Sequence, residues 1–372
     1  MTKRILIWGP APWGNSGYCR VVANLGPRLA KHYEIAYFSY SHIVATPGLQ
    51  WEGCPVFCGT HEWLGGMRHF VPNVVASYKP DLVLQVFDLF TAWPALKKYV
   101  KWPLVSYSPL DSALSQVQKE CAELCSVVVP TSNFGKKAYE EGGIKTTGVI
   151  YHGADRSIYY PKDRAEARAT LCLPLDTFIV LMVMDNTRRK NIPAQIRAFQ
   201  NFQRETRAKA QLVGVIPNMP AHREWDLDLL WSHLRRDGED ECFQHTFGLS
   251  EESLSRFYSA SDVLLQCSFS EGFGLPVVEA AACGIPTIAT NFGSLPELVK
   301  GRGWLVAGEV SYCQPFFNTW QMVPSLKGMT EALIDAYEHP GQRQEYGQAM
   351  LKFVAGECDW DRLVEEKWLK IL

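Results

Sequence analysis

A chain of 372 residues is longer than one ordinary hydrophobic core organises, which predicts two domains. Its 47% apolar and 20% charged residues, free of low-complexity tracts, exclude a disordered polymer. The 37 basic and 39 acidic residues nearly balance, and a mild excess of 14 Lys/Arg over 10 Asp/Glu in the first 150 residues is too small for a dedicated nucleic-acid binder.

The N-terminal half alternates short β-branched or aromatic runs with helical stretches. "KRILIWG" (3–9), "YEIAYFSY" (33–40), "PDLVLQVF" (80–87), "WPLVSYS" (102–108) and "CSVVVPT" (125–131) predict parallel strands, and "GYCRVVANLGPRLAKH" has the apolar spacing of the first crossover helix. "MTKRILIWG" reads as a strand ending at Gly9, lacking the longer apolar core of a secretory signal. Eleven cysteines, an odd number scattered through apolar segments, read as reduced thiols of a cytoplasmic protein. Cys54, Cys58 and His61 lack the second ligand pair of a zinc site.

A polar stretch, "HGADRSIYYPKDRAEARATLCLP", marks the join to a second α/β series. Its strands are "TFIVLMVMD" (177–185), "AQLVGVI" (210–216), "DVLLQCS" (262–268) and "PTIAT" (286–290). The longest uninterrupted apolar run, Phe178–Met184, falls well short of the ~20 residues of a membrane span. A charged segment at 218–242 interrupts the series, and its Asp226-x-Asp228 pair reads as a solvated helix face rather than a metal site. The expected division is 1–168, 169–350 and a C-terminal segment 351–372. The fold class is α/β with two Rossmann-like domains, whose ligands lie beyond the C-terminal strand ends.

"DVLLQCSFSEGFGLPVVEAAACG" reads as strand, glycine turn and helix, with Pro276 in the first turn and Gly284 at the end. Backbone amides of Phe273, Gly274 and Leu275 then point from a helix N-terminus and suit a diphosphate. Glu279, one turn into the helix, can accept bonds from two vicinal hydroxyls such as a ribose offers. Glu271 precedes the turn, close to whatever the diphosphate carries. An ordinary capping pattern around a buried helix is the alternative reading of an isolated E-x7-E, and the intervening Gly-Phe-Gly-Leu-Pro favours the functional one.

This stretch resembles the signature of the retaining glycosyltransferase family 4. "GNSGYCRVVANL", "PTSNFGKKAYEEGG" with "IYHGADRSIYYP", "NTRRKNIPAQIRAF" and "GLSEESLSRFYSASDVLLQCS" are similar to further segments of that family, in its order, across nearly the whole chain. The resemblance implies the GT-B fold, two facing Rossmann-like domains with a donor cleft between them, and a last helix that crosses back to the N-terminal domain. It implies metal-independent transfer of a hexosyl or pentosyl group from a UDP, GDP or ADP sugar to an acceptor hydroxyl, with retention and no cofactor. Glu271 then contacts the donor sugar, Glu279 the ribose, and Lys190, assisted by Arg189, neutralises the departing diphosphate. Gly14 and Gly17 bring backbone close to the donor from the N-terminal domain.

Two positions depart from the family. Met184 and Asp185 stand where many members have Gly-Arg, leaving Arg188 or Arg189 to replace the arginine. Pro109, Leu110 and Asp111 stand where many have the active-site histidine; Asp111 is the candidate for orienting or deprotonating the acceptor, Asp88 the second. Either could instead cap a helix. Trp13, Tyr18, Trp51, Trp63 and Trp93 could stack on a sugar or base, although packing is the simpler reading. The expected acceptor is a glycan, a lipid-linked sugar or a protein. Alternatives are a hydroxymethylated DNA base of phage or viral type, reached by base flipping, an epimerase or phosphorylase on the same fold, and a catalytically silent nucleotide-sugar binding module.

Overall fold

The computed structural model describes residues 2–40, 48–59, 72–89, 100–217, 224–234, 243–314 and 319–372. They divide into two compact units, Met1–Gly153 with Trp360–Leu372, and Ala154–Asp359.

In the first unit, β1 (Arg4–Gly9), β2 (Glu34–Ser39), β3 (Gln50–Trp51), β4 (Cys54–Cys58), β5 (Leu82–Gln85), β6 (Leu104–Ser106) and β7 (Val127–Val128) form one sheet in the order β3-β4-β2-β1-β5-β6-β7. All neighbours run parallel except the β3–β4 pair, which the sequence reading had not anticipated. Central β1 shows no polar alternation because both its faces are covered: Ile5, Leu6, Ile7 and Trp8 are each 0% exposed. Helix α1 (Gly17–Leu29) makes the first crossover, entered through Ser16, whose side chain caps the Cys19 amide. Helices α2 (Gln116–Ala122) and α3 (Asn133–Glu141) follow, each with a serine cap.

The second unit contains α4 (Arg164–Thr170), β8 (Phe178–Val183), α5 (Ile192–Thr206), β9 (Ala210–Val215), α6 (Leu227–Leu234), β10 (Phe243–Thr246), α7 (Glu251–Ala260), β11 (Val263–Gln266), α8 (Leu275–Ala282), β12 (Thr287–Thr290), α9 (Leu295–Val299) and β13 (Gly303–Val306). Its sheet is parallel throughout, ordered β10-β9-β8-β11-β12-β13. Buried Ile196, Phe199 and Phe202 of α5 pack with Val180, Met182 and Leu265 of the strands in the core. A two-stranded antiparallel ribbon, β14 (Gly308–Gln314) and β15 (Thr319–Pro324), comes next and was also unforeseen. Helices α10 (Leu326–Glu338) and α11 (Pro340–Glu357) complete the unit.

The division falls earlier than residue 168 because α4 is tied into the second unit. Arg168, 3% exposed, donates to the Ala260 and Thr177 carbonyls and pairs with Asp262 at 2.9 Å. Helix α11 stays in the same unit: a Cβ on Gly347 would stand 2.3 Å from the Gly284 carbonyl oxygen, so α11 packs hard against the end of α8. Only α12 (Trp360–Glu366) and the residues after it belong to the first unit, where Asp361 pairs with Arg28 at 3.0 Å and the Trp368 ring meets Tyr107 edge-on at 4.8 Å. Among the described residues no helix is long and apolar enough to cross a membrane.

Candidate functional site

The strand order of the second sheet brings two loops together. From β8 the chain moves outward to β9 and β10, then returns to place β11 on the opposite side of β8, so the loops leaving β8 and β11 are neighbours at a topological switch point. The β8 loop carries Arg188, Arg189 and Lys190 on a single 3-10 turn. The β11 loop carries Ser268, Glu271 and the glycine turn into α8.

Polar contacts fasten the two loops. Gln195, fully buried at the start of α5, donates to the Lys190 carbonyl (2.6 Å) and accepts from the Cys267 amide (2.9 Å). Asn191, left-handed at φ 53°, donates through Nδ2 to the Cys267 carbonyl at 3.2 Å. The Phe269 amide donates to the Arg189 carbonyl at 2.9 Å.

Glu271 sits at the centre, 5% exposed. Its Oε1 accepts from Lys190 Nζ (2.6 Å), Ser268 Oγ (2.6 Å) and Gln266 Nε2 (3.0 Å), and its Oε2 from Arg189 (2.9 Å). Burial alone would raise the proton affinity of this carboxyl, but the Arg189 and Lys190 charges outweigh it and hold the group well below the usual carboxylate range. Burial in turn draws the Lys190 ammonium below its ordinary value, against the opposing pull of Glu271. Of the two arginines that could replace the missing one, Arg189 turns toward Glu271, whereas Arg188 points outward, its side chain 71% exposed and paired with Glu224.

The glycine turn is held from the next loop along. Ser294 Oγ donates to the carbonyls of Glu271 (2.9 Å) and Phe273 (2.6 Å), and a Cβ on Gly293 would stand 2.8 Å from the Glu271 carbonyl oxygen. Gly274 is the N-cap of α8 at φ 105°, a conformation only glycine adopts without strain, and no side chain caps the helix. In the first turn Pro276 has no N–H and the Val277 amide donates to the Gly274 carbonyl at 2.9 Å. Phe273 is 4% exposed. Glu279 lies 2% exposed one turn along α8, and its Oε2 accepts from the Tyr258 hydroxyl at 2.8 Å. Gln195, Gln266, Ser268 and Ser294 were missed by the sequence reading: each is a neutral polar residue at a strand end or loop, with no spacing that marks it.

The other candidates belong to the first unit. Gly17 opens α1, and the Gly14 amide donates to the Ala11 carbonyl at 3.1 Å. Asp111 is half-buried, and its Oδ1 accepts from Ser112 Oγ at 3.3 Å. Asp88 accepts from the Tyr18 hydroxyl, which burial and that carboxylate together hold protonated far above the usual tyrosine value. Trp13 and Trp51 pack together with ring centroids 5.9 Å apart, whereas Trp63, Trp93 and His61 lie outside the described residues. Asp226 caps the Leu229 amide and Asp228 pairs with His245.

A model of the family described as glycosyl transferases group 1 matches residues 163–311. The O-antigen chain mannosyltransferase B of Escherichia coli is 27% identical over 256 residues, 63% of each chain. The chain spans less than two thirds of the length of the curated relatives it matches, from 63% down to 36%. The solved sucrose-phosphate synthase of Thermosynechococcus elongatus superposes over 99% of this chain and 98% of its own, with a TM-score of 0.82 and 20% identity. The Anabaena protein HepE, solved in complex with UDP-glucose, matches 99% of this chain and 100% of its own with a TM-score of 0.78 and 17% identity. Residues 163–311 are a group 1 glycosyltransferase domain, and the chain that carries it has the GT-B fold.

Proposed function

We propose that the protein transfers a glycosyl group from a nucleoside diphosphate sugar to an acceptor hydroxyl. The observation that carries this reading is the cluster of buried Glu271 and Lys190 with half-buried Arg189 at the switch point of a group 1 glycosyltransferase domain, directly ahead of a helix N-terminus without a side-chain cap. Lys190 and Arg189 take the β-phosphate, whose negative charge grows as the bond to the anomeric carbon breaks, and the amides of Phe273, Gly274 and Leu275 add fixed dipoles. These side chains and amides supply the neutralisation that a divalent cation gives elsewhere, so the reaction runs without a metal. Glu271 binds the hydroxyls of the donor sugar, and Glu279, braced by Tyr258, those of the ribose.

The acceptor oxygen attacks the anomeric carbon on the face the diphosphate leaves, and a departing phosphate oxygen takes the acceptor proton, which gives retention. Asp111 is the residue proposed to orient that acceptor. The acceptor is a carbohydrate or another hydroxyl compound, in keeping with the mannosyltransferase and sucrose-phosphate synthase among its relatives. A modified DNA base finds no support in the relatives named above.

A panel of UDP, GDP and ADP sugars, followed by nucleotide release with and without oligosaccharide acceptors, tests the reading. Release from one donor and an α-anomeric product from an α-donor by NMR are expected. Tight binding of a donor with neither transfer nor hydrolysis identifies the silent binding module instead, and a rearranged donor the epimerase.

A further inference from the structure

Glu271 makes more bonds than a sugar-binding carboxylate requires. Four donors converge on it, two of them cations, and the Lys190 and Glu271 side chains are 11% and 7% exposed. A buried ammonium beside a half-buried guanidinium needs an anion close by. Glu271 supplies that anion, bonded to both cations.

We propose that Glu271 stands in for the diphosphate in the free protein, and that donor binding is an exchange in which phosphate oxygens take over Lys190 and Arg189 while Glu271 is handed to the sugar hydroxyls. The inference rests on the reading of Lys190 and Arg189 as the phosphate cations. The geometry suits an exchange because neither side loses all its bonds. Arg189 stays tethered by its bond to the Ser270 carbonyl, and Lys190 by the backbone contacts of its turn with Gln195. Glu271 keeps Ser268 and Gln266 on Oε1, both neutral donors that owe nothing to the cations, while Oε2 is freed of Arg189 and becomes an open acceptor.

A functional asymmetry follows. An intact donor brings hydroxyls that compensate Glu271 for the cations it gives up. A nucleoside diphosphate without its sugar brings none, so Glu271 competes with it and re-pairs with Lys190. The same carboxylate thus favours capture of loaded donor and expulsion of spent nucleotide. Ser268 and Gln266 are the positioning residues of this device.

Calorimetry with inorganic pyrophosphate and with UDP, GDP and ADP tests it on the full chain. Glu271→Gln, which removes the competing charge and preserves the shape, is expected to bind pyrophosphate and the accepted nucleotide at least about tenfold more tightly than the unaltered protein, while losing its preference for intact donor. Ser268→Ala is expected to bind pyrophosphate within about twofold of the unaltered protein and to lose several-fold of the preference for donor over nucleotide, a split that a general loss of structure does not produce. Should Glu271→Gln fail to fold, Glu271→Asp, with a shorter reach to Lys190, is expected to show the same tightening at a few-fold level. Pyrophosphate or nucleotide affinity that is unchanged or weaker in the folded Glu271 variants overturns the exchange and leaves the proposed function standing. No binding of pyrophosphate or any of the three nucleotides, in unaltered protein and variants alike, overturns the phosphate reading itself and the exchange with it.

Discussion

The two sheets each reach a switch point, between β1 and β5 in the first unit and between β8 and β11 in the second, and each places a glycine-bearing loop and a helix start there. They satisfy their polar groups in opposite ways. In the first unit Ser16 caps α1 with its own side chain, and the Asp88 carboxylate is met by a neutral phenol, Tyr18. In the second, α8 starts at a glycine without a side-chain cap, and the Glu271 carboxylate is met by two cations. A fold of this kind therefore offers two equivalent places for a ligand, and what distinguishes them is how much buried charge and unclosed helix end each retains.

The largest effect should come from breaking that charge arrangement. Lys190→Ala leaves Arg189 as the cation bonded to Glu271 and, on the proposed function, takes away a cation from the leaving phosphate. A loss of about 10²–10³-fold in kcat/KM is expected in the nucleotide-release assay. Urea unfolding should show a stability loss of up to about 3 kcal/mol, since one partner of a buried pair is left behind. If Lys190→Ala turned over donor at the normal rate, the second switch point would be no more functional than the first.

The first unit has its own buried titratable group, and acid separates it from the second. His152 is 3% exposed, its Nδ1 stands 2.8 Å from the Tyr107 hydroxyl, and burial pushes its pKa down to about 3. A histidine whose pKa is lowered on folding binds fewer protons folded than unfolded between about pH 3 and its ordinary 6.5. Stability must then fall as the pH drops through that window, by about 2 kcal/mol between pH 7 and pH 5. Glu271 works in a lower window: its lowered pKa contributes stability that is complete above its ordinary value near 4.5 and is lost only as the pH falls below it. Hydrogen exchange at pH 7 and pH 5 should therefore show the first unit loosening before the second, and His152→Gln should remove most of the difference.

Much of this contrast was legible in the amino-acid sequence, and the reason is local. Strand β8 and the segment from β11 to α8 announce themselves because a continuous apolar run, a glycine turn and a proline fall within a few residues of one another. Glu271 and Glu279 could be singled out because charge is conspicuous in apolar surroundings, whereas Lys190, in the polar run DNTRRKN, was marked only by the family resemblance. What stayed hidden depends on tertiary neighbours. Gln195 fastens two loops whose proximity is set by strand order, and Ser294 holds a turn some twenty positions earlier in the chain. The choice between Arg188 and Arg189 turned on a single 3-10 turn, which sends adjacent side chains in different directions. The β14–β15 ribbon was missed because its strands mix polar, apolar and exposed residues without a clean period of two.

The glycine turn gives a smaller effect of a different kind. At φ 105° Gly274 holds a conformation that costs a side-chain-bearing residue about 1–3 kcal/mol, and an added Cβ would stand 3.2 Å from Leu295 Cδ2. Gly274→Ala should lower stability by about that amount and, on the proposed function, raise the KM for donor, because relaxing the turn would rotate the amides of Phe273 and Leu275 away from the donor phosphates. A variant that lost stability but kept its donor KM would show the turn to be architecture alone.

The smallest effect sharpens the contrast inside one turn of chain. Arg188 and Arg189 are adjacent and equally charged, so any long-range field they exert on a phosphate is similar, and a purely electrostatic account predicts similar losses on removing either. The contacts predict otherwise: Arg188 meets Glu224 in an exposed pair of a kind that contributes at most about 1 kcal/mol, whereas Arg189 bonds Glu271 and the Ser270 carbonyl. Arg188→Ala should change donor kcat/KM by less than about threefold and stability by less than about 0.5 kcal/mol. Arg189→Ala should cost at least about tenfold in kcat/KM. Equal losses in the pair, measured at 50 mM and again at 500 mM salt, would mean that charge density near the loop matters more than the directed bonds to Glu271, since only the diffuse contribution is screened at the higher ionic strength.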